Sequence, residues 1–172
     1  MENFDAVLAN YGVERTDGIV IEGDSQHYAQ MPYYLVPTVN STDAISDFAS
    51  KGYYVLMPYA QGIKQTDNLR DTVTVNSLLT TSDSAYSKVD VNSGSIDKTD
   101  DDIDGPFDLG VSITETLDDD KETQIVYYTS SNLMDSQINQ MVSGGNEQMI
   151  MSSLSWMCSS DETSTISIPS KN

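Results

Sequence analysis

One cysteine and one histidine offer the chain a nucleophile and a general base. A reactive cysteine normally occupies a tight turn or a helix N-terminus, where the helix dipole lowers the pKa of the thiol. Cys158 instead falls near the C-terminal end of a predicted helix, on its apolar face, so we expect it to pack in the core. His27 lies in a polar, tyrosine-rich loop near Asp24, which favours a loop-bracing or surface role. A hydrolase that uses Cys158 and His27 is kept as a rival hypothesis.

Calcium binding is a second chemistry that the sequence could support. Asp100, Asp102 and Asp104, followed by Gly105, reproduce the first half of a calcium-binding loop. The second half fails, because Val111 occupies the position of the bidentate glutamate. Aspartates in loops rich in serine and threonine are usually solvated, so calcium at these three positions is only a secondary candidate. The sequence has no phosphate loop, nucleophile elbow or Cys/His cluster, and we therefore expect no cofactor.

Four tyrosines form a third group of candidates, namely Tyr28, Tyr33, Tyr34 and Tyr59. Tyrosine combines a flat apolar ring with a polar tip, which suits a recognition surface. The same rings could equally pack the surrounding loop against a sheet. A secreted or surface module that binds glycan or peptide is therefore an alternative function for this chain.

Charge limits the partners that such a domain can have. The chain of 172 residues carries 8 Lys and Arg against 27 Asp and Glu, a formal net charge of −19. This balance excludes a nucleic-acid binder, because phosphate neutralisation needs clustered cations, and it disfavours docking on anionic lipids. No run of about 18 apolar residues and no signal peptide is evident. The length predicts one domain over residues 1–172.

The elements predicted along the first third of the chain alternate between helices and strands. They are a helix over 4–11, a strand over 18–22, a loop over 23–40, a helix after 41–43 and a strand over 53–57. The near-continuous apolar run at 53–57 is typical of a strand that is covered on both faces of a sheet. This order favours an α/β fold with a mainly parallel, three-layer sheet.

The remainder of the chain is predicted to hold further strands, a polar insertion and two helices. The strands are expected at 71–75, 107–116 and 124–129, the insertion at 76–104, a short helix at 132–140 and an edge strand at 165–168. A final helix follows Ser143. Its predicted apolar face combines Ile150, Leu154, Met157 and Cys158.

Several short stretches, in this order, resemble a known family. They are residues 8–12, 18–22, 54–58, 105–106 and 124–132. The most specific is the run over 145–156, which is similar to the family helix G-N-x-x-x-x-x-N-x-x-x-W, with a serine where the second asparagine is usual. The family is that of the GldG-like gliding-motility proteins, auxiliary domains of ABC-type uncharacterised transport systems.

The resemblance implies a fold similar to class I glutamine amidotransferases, with a flavodoxin-like parallel sheet. It also implies an extracytoplasmic domain that is held at the cell membrane by anchors outside this chain. The implied partners are the permease and the ATPase of an ABC-2-type transporter. Since the resemblance brings no catalytic residues, the expected role is that of a non-enzymatic interaction or sensing domain.

A binding site can be predicted from the expected sheet. Ligands of open α/β sheets bind beyond the carboxyl ends of the strands. Two such ends follow the strands predicted at 18–22 and 124–129. The candidate binding residues at these ends are Glu22, Asp24, His27, Tyr28, Thr129, Ser130 and Asn132.

Overall fold

The computed structural model describes residues 2–66, 69–117 and 121–158 of the chain. All strand pairings among these residues are antiparallel. The mainly parallel, three-layer sheet predicted from the element order is therefore wrong, and so is the flavodoxin-like, glutamine amidotransferase-like fold that the resemblance implied. A parallel sheet needs a long crossover, usually a helix, between successive strands, and most of the strands here follow one another without a helix.

The described residues form eleven strands in three sheets. The strands are β1 (Val13–Arg15), β2 (Ile19–Ile21), β3 (Tyr34–Leu35), β4 (Thr38–Val39), β5 (Met57–Pro58), β6 (Ile63–Gln65), β7 (Val73–Thr80), β8 (Tyr86–Lys88), β9 (Ile103–Asp104), β10 (Asp108–Thr116) and β11 (Glu122–Tyr128). The main sheet has the order β1-β6-β10-β7-β4, and β11 also pairs with β10. The strands β2, β8 and β9 form a second sheet, and β3 pairs with β5 in a third.

Helices stand at both ends of the described chain and before β5. They are α1 (Glu2–Asn10), a 3-10 turn (Asp43–Ile45), α2 (Ser46–Ala49), α3 (Ser136–Met141) and α4 (Gly145–Cys158). The helices predicted at 4–11, after 41–43 and after Ser143 are confirmed, whereas the edge strand predicted at 165–168 lies outside the described residues. No helix in the described ranges combines the length and the apolar character that a membrane crossing requires.

Two hydrophobic clusters cover opposite faces of the hairpin that β10 and β11 form. The first includes Met149 of α4 and is contacted by Tyr128, and the second includes Leu8 of α1 and is contacted by Tyr127. Neighbouring residues of a strand point to opposite faces of a sheet. The first part of β10 is therefore covered on the side of α4 and on the side of α1, which explains why residues 108–113 are all buried.

The strand predicted over 53–57 is wrong except at its last residue, where β5 begins. A side chain, rather than a neighbouring strand, satisfies the backbone of Leu56. The amide oxygen of Asn146 accepts the Leu56 N–H at 2.9 Å, and the Asn146 amide nitrogen donates to the Leu56 carbonyl at 2.8 Å and to that of Leu133 at 3.0 Å. Because Asn146 is fully buried, it holds this segment against α4 as a strand neighbour would.

The buried face of α4 is not the apolar face that the sequence predicts. It consists of Gly145, Asn146, Met149 and Ser153. Leu154 is 44% exposed and Cys158 is exposed, so the prediction that Cys158 packs in the core is wrong. Small and polar residues face inward because they touch backbone: a Cβ on Gly145 would collide with the Tyr54 carbonyl. Hydrophobic periodicity cannot reveal a face of this kind.

The segment predicted as a polar insertion, 76–104, is partly built into the sheets. Its first residues complete β7, and Leu78 and Leu79 there are fully buried. It then supplies β8 and β9 to the second sheet. Only residues 89–101 are exposed throughout, so the solvated part is about half of what the composition indicated.

Replacing Asn146 by alanine is expected to destabilise the fold strongly. The change leaves one N–H and two carbonyls without partners in the interior, which costs about 3 kcal/mol in the free energy of unfolding. Urea denaturation of the variant and of the parent protein measures the difference. The matched control is Asn76→Ala at an exposed position of β7, for which we expect a change within about 0.5 kcal/mol. Equal losses of stability in the two variants would contradict the structural role given to Asn146, which is to satisfy the backbone groups of Leu56 and Leu133.

The exposure of Cys158 predicts that its thiol reacts in the folded protein. A chromogenic disulfide reagent should label one thiol per chain without denaturant, since the chain has a single cysteine. The Cys158→Ser variant gives the background of the assay. Labelling that begins only when the protein is unfolded would show instead that Cys158 is covered in solution.

Candidate functional site

One edge of β10 pairs with two different strands. At Asp108 this edge contacts β6, and from Gly110 onward it contacts β11, while β7 occupies the other edge of β10 along the same length. The register of β10 against β7 shifts on both sides of Gly110. A Cβ on Gly110 would lie 2.5 Å from the ring of Tyr128, so the position requires glycine. Here β6 and β11 separate, and the main sheet divides.

A cleft of about 700 Å³ lies near this division, at the end of β11, and we call it the fork cleft. Its walls come from α1, the end of β1, the start of β2, the loop before β6, the loop after β8 and the end of β11. The lining residues whose side chains could hold a ligand include Phe4, Arg15, Tyr59, Gln61 and those at 127–131. Pockets of this size and of mixed apolar and polar lining are the usual sites of ligand binding in proteins.

Arg15 supplies the positive charge of the fork cleft and is held in place by two partners. Its Nε and Nη2 donate to one carboxylate oxygen of Asp5 at 2.9 and 2.5 Å, and its Nη1 donates to the amide oxygen of Gln61 at 2.7 Å. The hydrogen bond to Asp5 raises the pKa of the guanidinium, with smaller contributions from Tyr127. The guanidinium carbon also lies 5.9 Å from the centre of the Phe4 ring. Arg15 is therefore a pre-positioned cation.

Aromatic rings form much of the remaining surface. Phe4 meets Tyr127 edge to face at 5.6 Å between ring centres, and it is 42% exposed. Tyr59 is 45% exposed and stacks on Tyr33 at 5.0 Å, with Tyr34 edge-on at 5.9 Å. Its backbone has a positive φ of 53°, which is costly for a residue with a side chain.

The phenols of the fork cleft stay protonated at neutral pH. Burial is the main reason why the pKa of Tyr128 rises to about 12, against a lowering effect of the hydrogen bond to Ser153. Burial also raises the pKa of Tyr127 and of Tyr59, in the latter case helped by Tyr34 and Tyr33. These groups therefore offer rings and hydrogen bonds, but neither a base nor a second charge.

The hydroxyl groups that follow β11 already donate hydrogen bonds within the protein. Thr129 donates to the carbonyl of Leu109 at 3.1 Å, and Ser130 donates to that of Pro58 at 2.6 Å. Ser131 donates to the side chain of Asn132 at 3.0 Å. These side chains shape the cleft by fixing the chain after β11, and they leave little polar capacity for a ligand.

Of the binding residues predicted from the sequence, Thr129 and Ser130 line the fork cleft, and Asn132 lies just beyond the lining residues. Glu22 has a structural role instead. It is 2% exposed and accepts hydrogen bonds from the amide of Asp24 and from the amide and hydroxyl of Ser82. The other three predicted residues, Asp24, His27 and Tyr28, form hydrogen bonds that hold the loop before β3. Asp24 accepts the amide of Gln26, His27 pairs through its backbone with Val36, and Tyr28 forms a bridge with Leu35.

Sequence reasoning missed Phe4, Arg15, Gln61 and Tyr127. Phe4 and Tyr127 lie in elements that were predicted correctly, but only the fold brings α1 across β11. The position of Arg15 depends on Asp5 and Gln61, which are 10 and 46 residues away, and no motif records such spacings. The adjacent tyrosines at 127 and 128, in a strand otherwise rich in β-branched residues, were the one signal in the sequence.

The calcium candidates do not converge on a common point. The side chain of Asp102 is 1% exposed and forms an ion pair at 3.0 Å with that of Lys88, which is 4% exposed. The other oxygen of Asp102 accepts the Val89 amide, whereas Asp104 is exposed and pairs with Lys98. Among the described residues, no group of three or more acidic, histidine or cysteine side chains could hold a metal ion.

Asp102 is expected to stabilise the fold in a pH-dependent way. Burial alone would raise its pKa, but hydrogen bonds from Thr99, Lys88 and Val89 outweigh burial and hold the pKa well below the ordinary 3.8. A carboxylate with a depressed pKa adds stability above its unfolded-state pKa and loses that contribution as the pH falls toward the folded-state value.

The free energy of unfolding of the Asp102→Asn variant should therefore be about 3 kcal/mol lower than that of the parent at neutral pH, because Lys88 is left buried without its counter-charge. This difference in stability should shrink as the pH falls below 3.8. Urea denaturation at several pH values measures both effects. Asp104→Asn, which breaks an exposed pair, is the control and should stay within about 0.5 kcal/mol of the parent. A deficit for Asp102→Asn that does not vary with pH would refute the assignment.

Comparison with known proteins supports the fold alone. No protein-family model matches the chain, and no curated protein matches it. Among solved structures, the chain is similar to one described as "mmIFT52 N-terminal domain", with a TM-score of 0.57 and 12% sequence identity. The similarity covers 94% of this chain and 60% of that one. The antiparallel architecture found here is thus similar to that of an IFT52 N-terminal domain, of which this chain spans somewhat more than half the length.

Proposed function

We propose that this domain is a non-catalytic binding module that holds its ligand in the fork cleft. The observation that carries the proposal is the concave site at the end of β11, which is lined by aromatic rings and by the fixed cation Arg15. Clefts of this kind bind ligands through apolar contact and orient them through a few fixed polar groups. The left-handed backbone at Tyr59 adds to the proposal, since such strain is commonly retained where it positions a ligand contact.

A binding role is favoured over catalysis by the chemistry of the lining. Among the described residues, those that line the fork cleft include no cysteine, histidine, aspartate or glutamate. Acid–base and nucleophilic catalysis both rely on such groups within hydrogen-bond reach of the substrate. Cys158 lies at the end of α4 and His27 in the loop before β3, and neither lines the cleft.

The transporter partners and the membrane location that the resemblance implies stay predictions. A binding module would suit an extracytoplasmic accessory role beside a permease and an ATPase of an ABC-2-type transporter. The location at a cell membrane and these partners rest on the short sequence stretches given above. The binding site itself rests on the geometry of the fork cleft and does not depend on them.

The proposal predicts where ligands perturb the molecule. In a titration of ¹⁵N-labelled protein with neutral oligosaccharides and with cationic and anionic peptides, a true ligand should shift the amides at 15–19, 59–61 and 127–131. The Tyr59→Ala variant should bind that ligand with roughly tenfold lower affinity, because an exposed aromatic contact is lost.

The matched control is Tyr54→Ala, which removes a tyrosine that is 71% exposed and does not line the cleft, and which should change the affinity by less than about twofold. Ligands whose shifts map to another surface would contradict the proposal. So would turnover of an ester or amide substrate by the purified chain.

A further inference from the structure

We infer that the ligand of the fork cleft is an organic monocarboxylate, whose single carboxylate binds Arg15 while an apolar body lies against the neighbouring rings. The inference rests on the proposed function, because it names the ligand class of the same site. It is carried by the charge of the lining, by the exposed apolar side chains of the walls and by the hydrogen bonds that already engage the polar groups. Such a carboxylate belongs either to a free organic acid or to the C-terminus of a polypeptide.

Arg15 is the only charged side chain among the described residues that line the fork cleft. Its counter-ion, Asp5, does not line this cleft. Asp5 lies instead in the wall of a second cleft of about 310 Å³, which Arg15 also lines. The acidic partner of the guanidinium is therefore outside the fork cleft, and the one charged group that a ligand meets in the lining is a cation.

The guanidinium of Arg15 keeps donors for a ligand. Arginine has five N–H groups, of which Asp5 accepts two and Gln61 accepts one. One N–H on each Nη nitrogen remains after these three bonds. The phenol of Tyr127 also interacts with the guanidinium, and because it is protonated its O–H can donate as well. A cluster of donors around one positive charge suits a carboxylate, whose oxygens only accept.

Exposed apolar side chains gather around the same cation. Phe4, Tyr59, Val89 and Val91 are between 38% and 53% exposed, and all four line the fork cleft. Exposed apolar side chains that converge on one surface mark a site of interaction. Since the Phe4 ring centre lies 5.9 Å from the guanidinium carbon, the apolar body of a bound carboxylate would meet a ring directly.

The polar groups of the site disfavour a sugar. A polyhydroxylated ligand needs many side-chain partners, but Thr129, Ser130 and Ser131 already donate within the protein. Gln61 is engaged at both ends, since it accepts from Arg15 and donates to the carbonyl of Thr16. Little remains for a ligand except apolar surface and the donors near the guanidinium.

The charge of the chain restricts the ligand to a single negative charge. A phosphate dianion or a polyanion needs several cations, and the lining holds one arginine that is already shared with Asp5. The chain has a formal net charge of −19, which repels an anion in proportion to the charge of that anion. A monocarboxylate meets the weakest repulsion and still uses the guanidinium.

The first test compares 3-phenylpropionate with its amide, which has the same apolar body and no charge. In a titration of the ¹⁵N-labelled full chain, the acid should shift the amides at 15–19, 59–61 and 127–131 to saturation. It should bind roughly tenfold more tightly than the amide, because only the acid forms a charged hydrogen bond with Arg15.

A second pair of probes separates the two sources of the carboxylate. It consists of N-acetyl-glycyl-glycyl-phenylalanine and the C-terminal amide of the same peptide. The peptide acid should also bind more tightly than its amide. Tighter binding of the peptide acid than of 3-phenylpropionate identifies a polypeptide C-terminus as the better ligand, and the reverse order identifies a free acid. Either order supports the inference.

The Arg15→Gln variant should lose the preference for the acid. Its affinity for 3-phenylpropionate should fall by roughly tenfold, while its affinity for the amide stays within about twofold. The matched control is Arg70→Gln. Arg70 pairs with Glu115 at 2.8 Å and lies 5.5 Å from the ring centre of Tyr11, but it does not line the fork cleft. Both affinities should stay within about twofold in this control, and circular dichroism checks that the variants fold.

The Asp5→Asn variant tests the same contact in the opposite direction. Asparagine keeps an oxygen that accepts from Arg15 but removes the negative charge, so the guanidinium is no longer neutralised. The affinity for 3-phenylpropionate should rise by roughly threefold, and the affinity for its amide should not change. If Arg15→Gln does not fold, Asp5→Asn decides the question together with the acid and amide pairs.

The outcomes distinguish this inference from the proposed function. Equal binding of acid and amide in the fork cleft, or an affinity for the acid that Arg15→Gln or Asp5→Asn leaves unchanged, overturns the inference and leaves the proposed function standing. The same holds if the acids do not bind and a neutral oligosaccharide such as cellohexaose shifts the amides of the cleft. If none of these probes shifts those amides, the inference and the proposed function both fail.

Discussion

The structure depends on a limit in strand pairing: each edge of β10 can form hydrogen bonds with only one strand at a given position. Each residue of a strand directs its N–H and C=O to a single side, so at any one position an edge of a strand pairs with one neighbour. β10 meets this limit, since β7 occupies one edge while β6 and β11 share the other. The main sheet divides at Gly110, where β10 exchanges β6 for β11, and α1 and α4 cover separate faces of the hairpin.

Buried polar side chains take over backbone pairing where strands are short. Asn146 bonds to both backbone groups of Leu56, Glu22 accepts the amides of Asp24 and Ser82, and Asp102 accepts the amides of Val89 and Thr99. A buried amide that lacks a partner costs about as much as a lost hydrogen bond. These side chains therefore allow a chain with many strands of two or three residues to keep its loops inside a single fold.

The sequence predicts elements well and their arrangement poorly, for reasons that particular residues make clear. The alternation in β7, β10 and β11 and the helix at Gly145 follow from local periodicity, which one sequence contains. The run at 53–57 has the composition of a buried strand, but its partner is an asparagine 90 residues away. In the same way, Arg15 enters the cleft because of Asp5 and Gln61. The direction of strand pairing and the buried polar contacts are both properties of distant residues, and periodicity does not encode them.

The ion pair of Lys88 and Asp102 has a consequence for how such a domain can diversify. It closes the base of the exposed segment 89–101, because the same carboxylate also accepts the amide of Val89. With the base fixed, added length in the segment costs only the slowly growing entropy of a longer loop. Val89 and Val91 form part of the cleft wall. The exposed segment 89–101 can therefore change in length and composition, and so change that wall, while the core stays as it is. A variable loop on a rigid scaffold changes what it recognises in the same way.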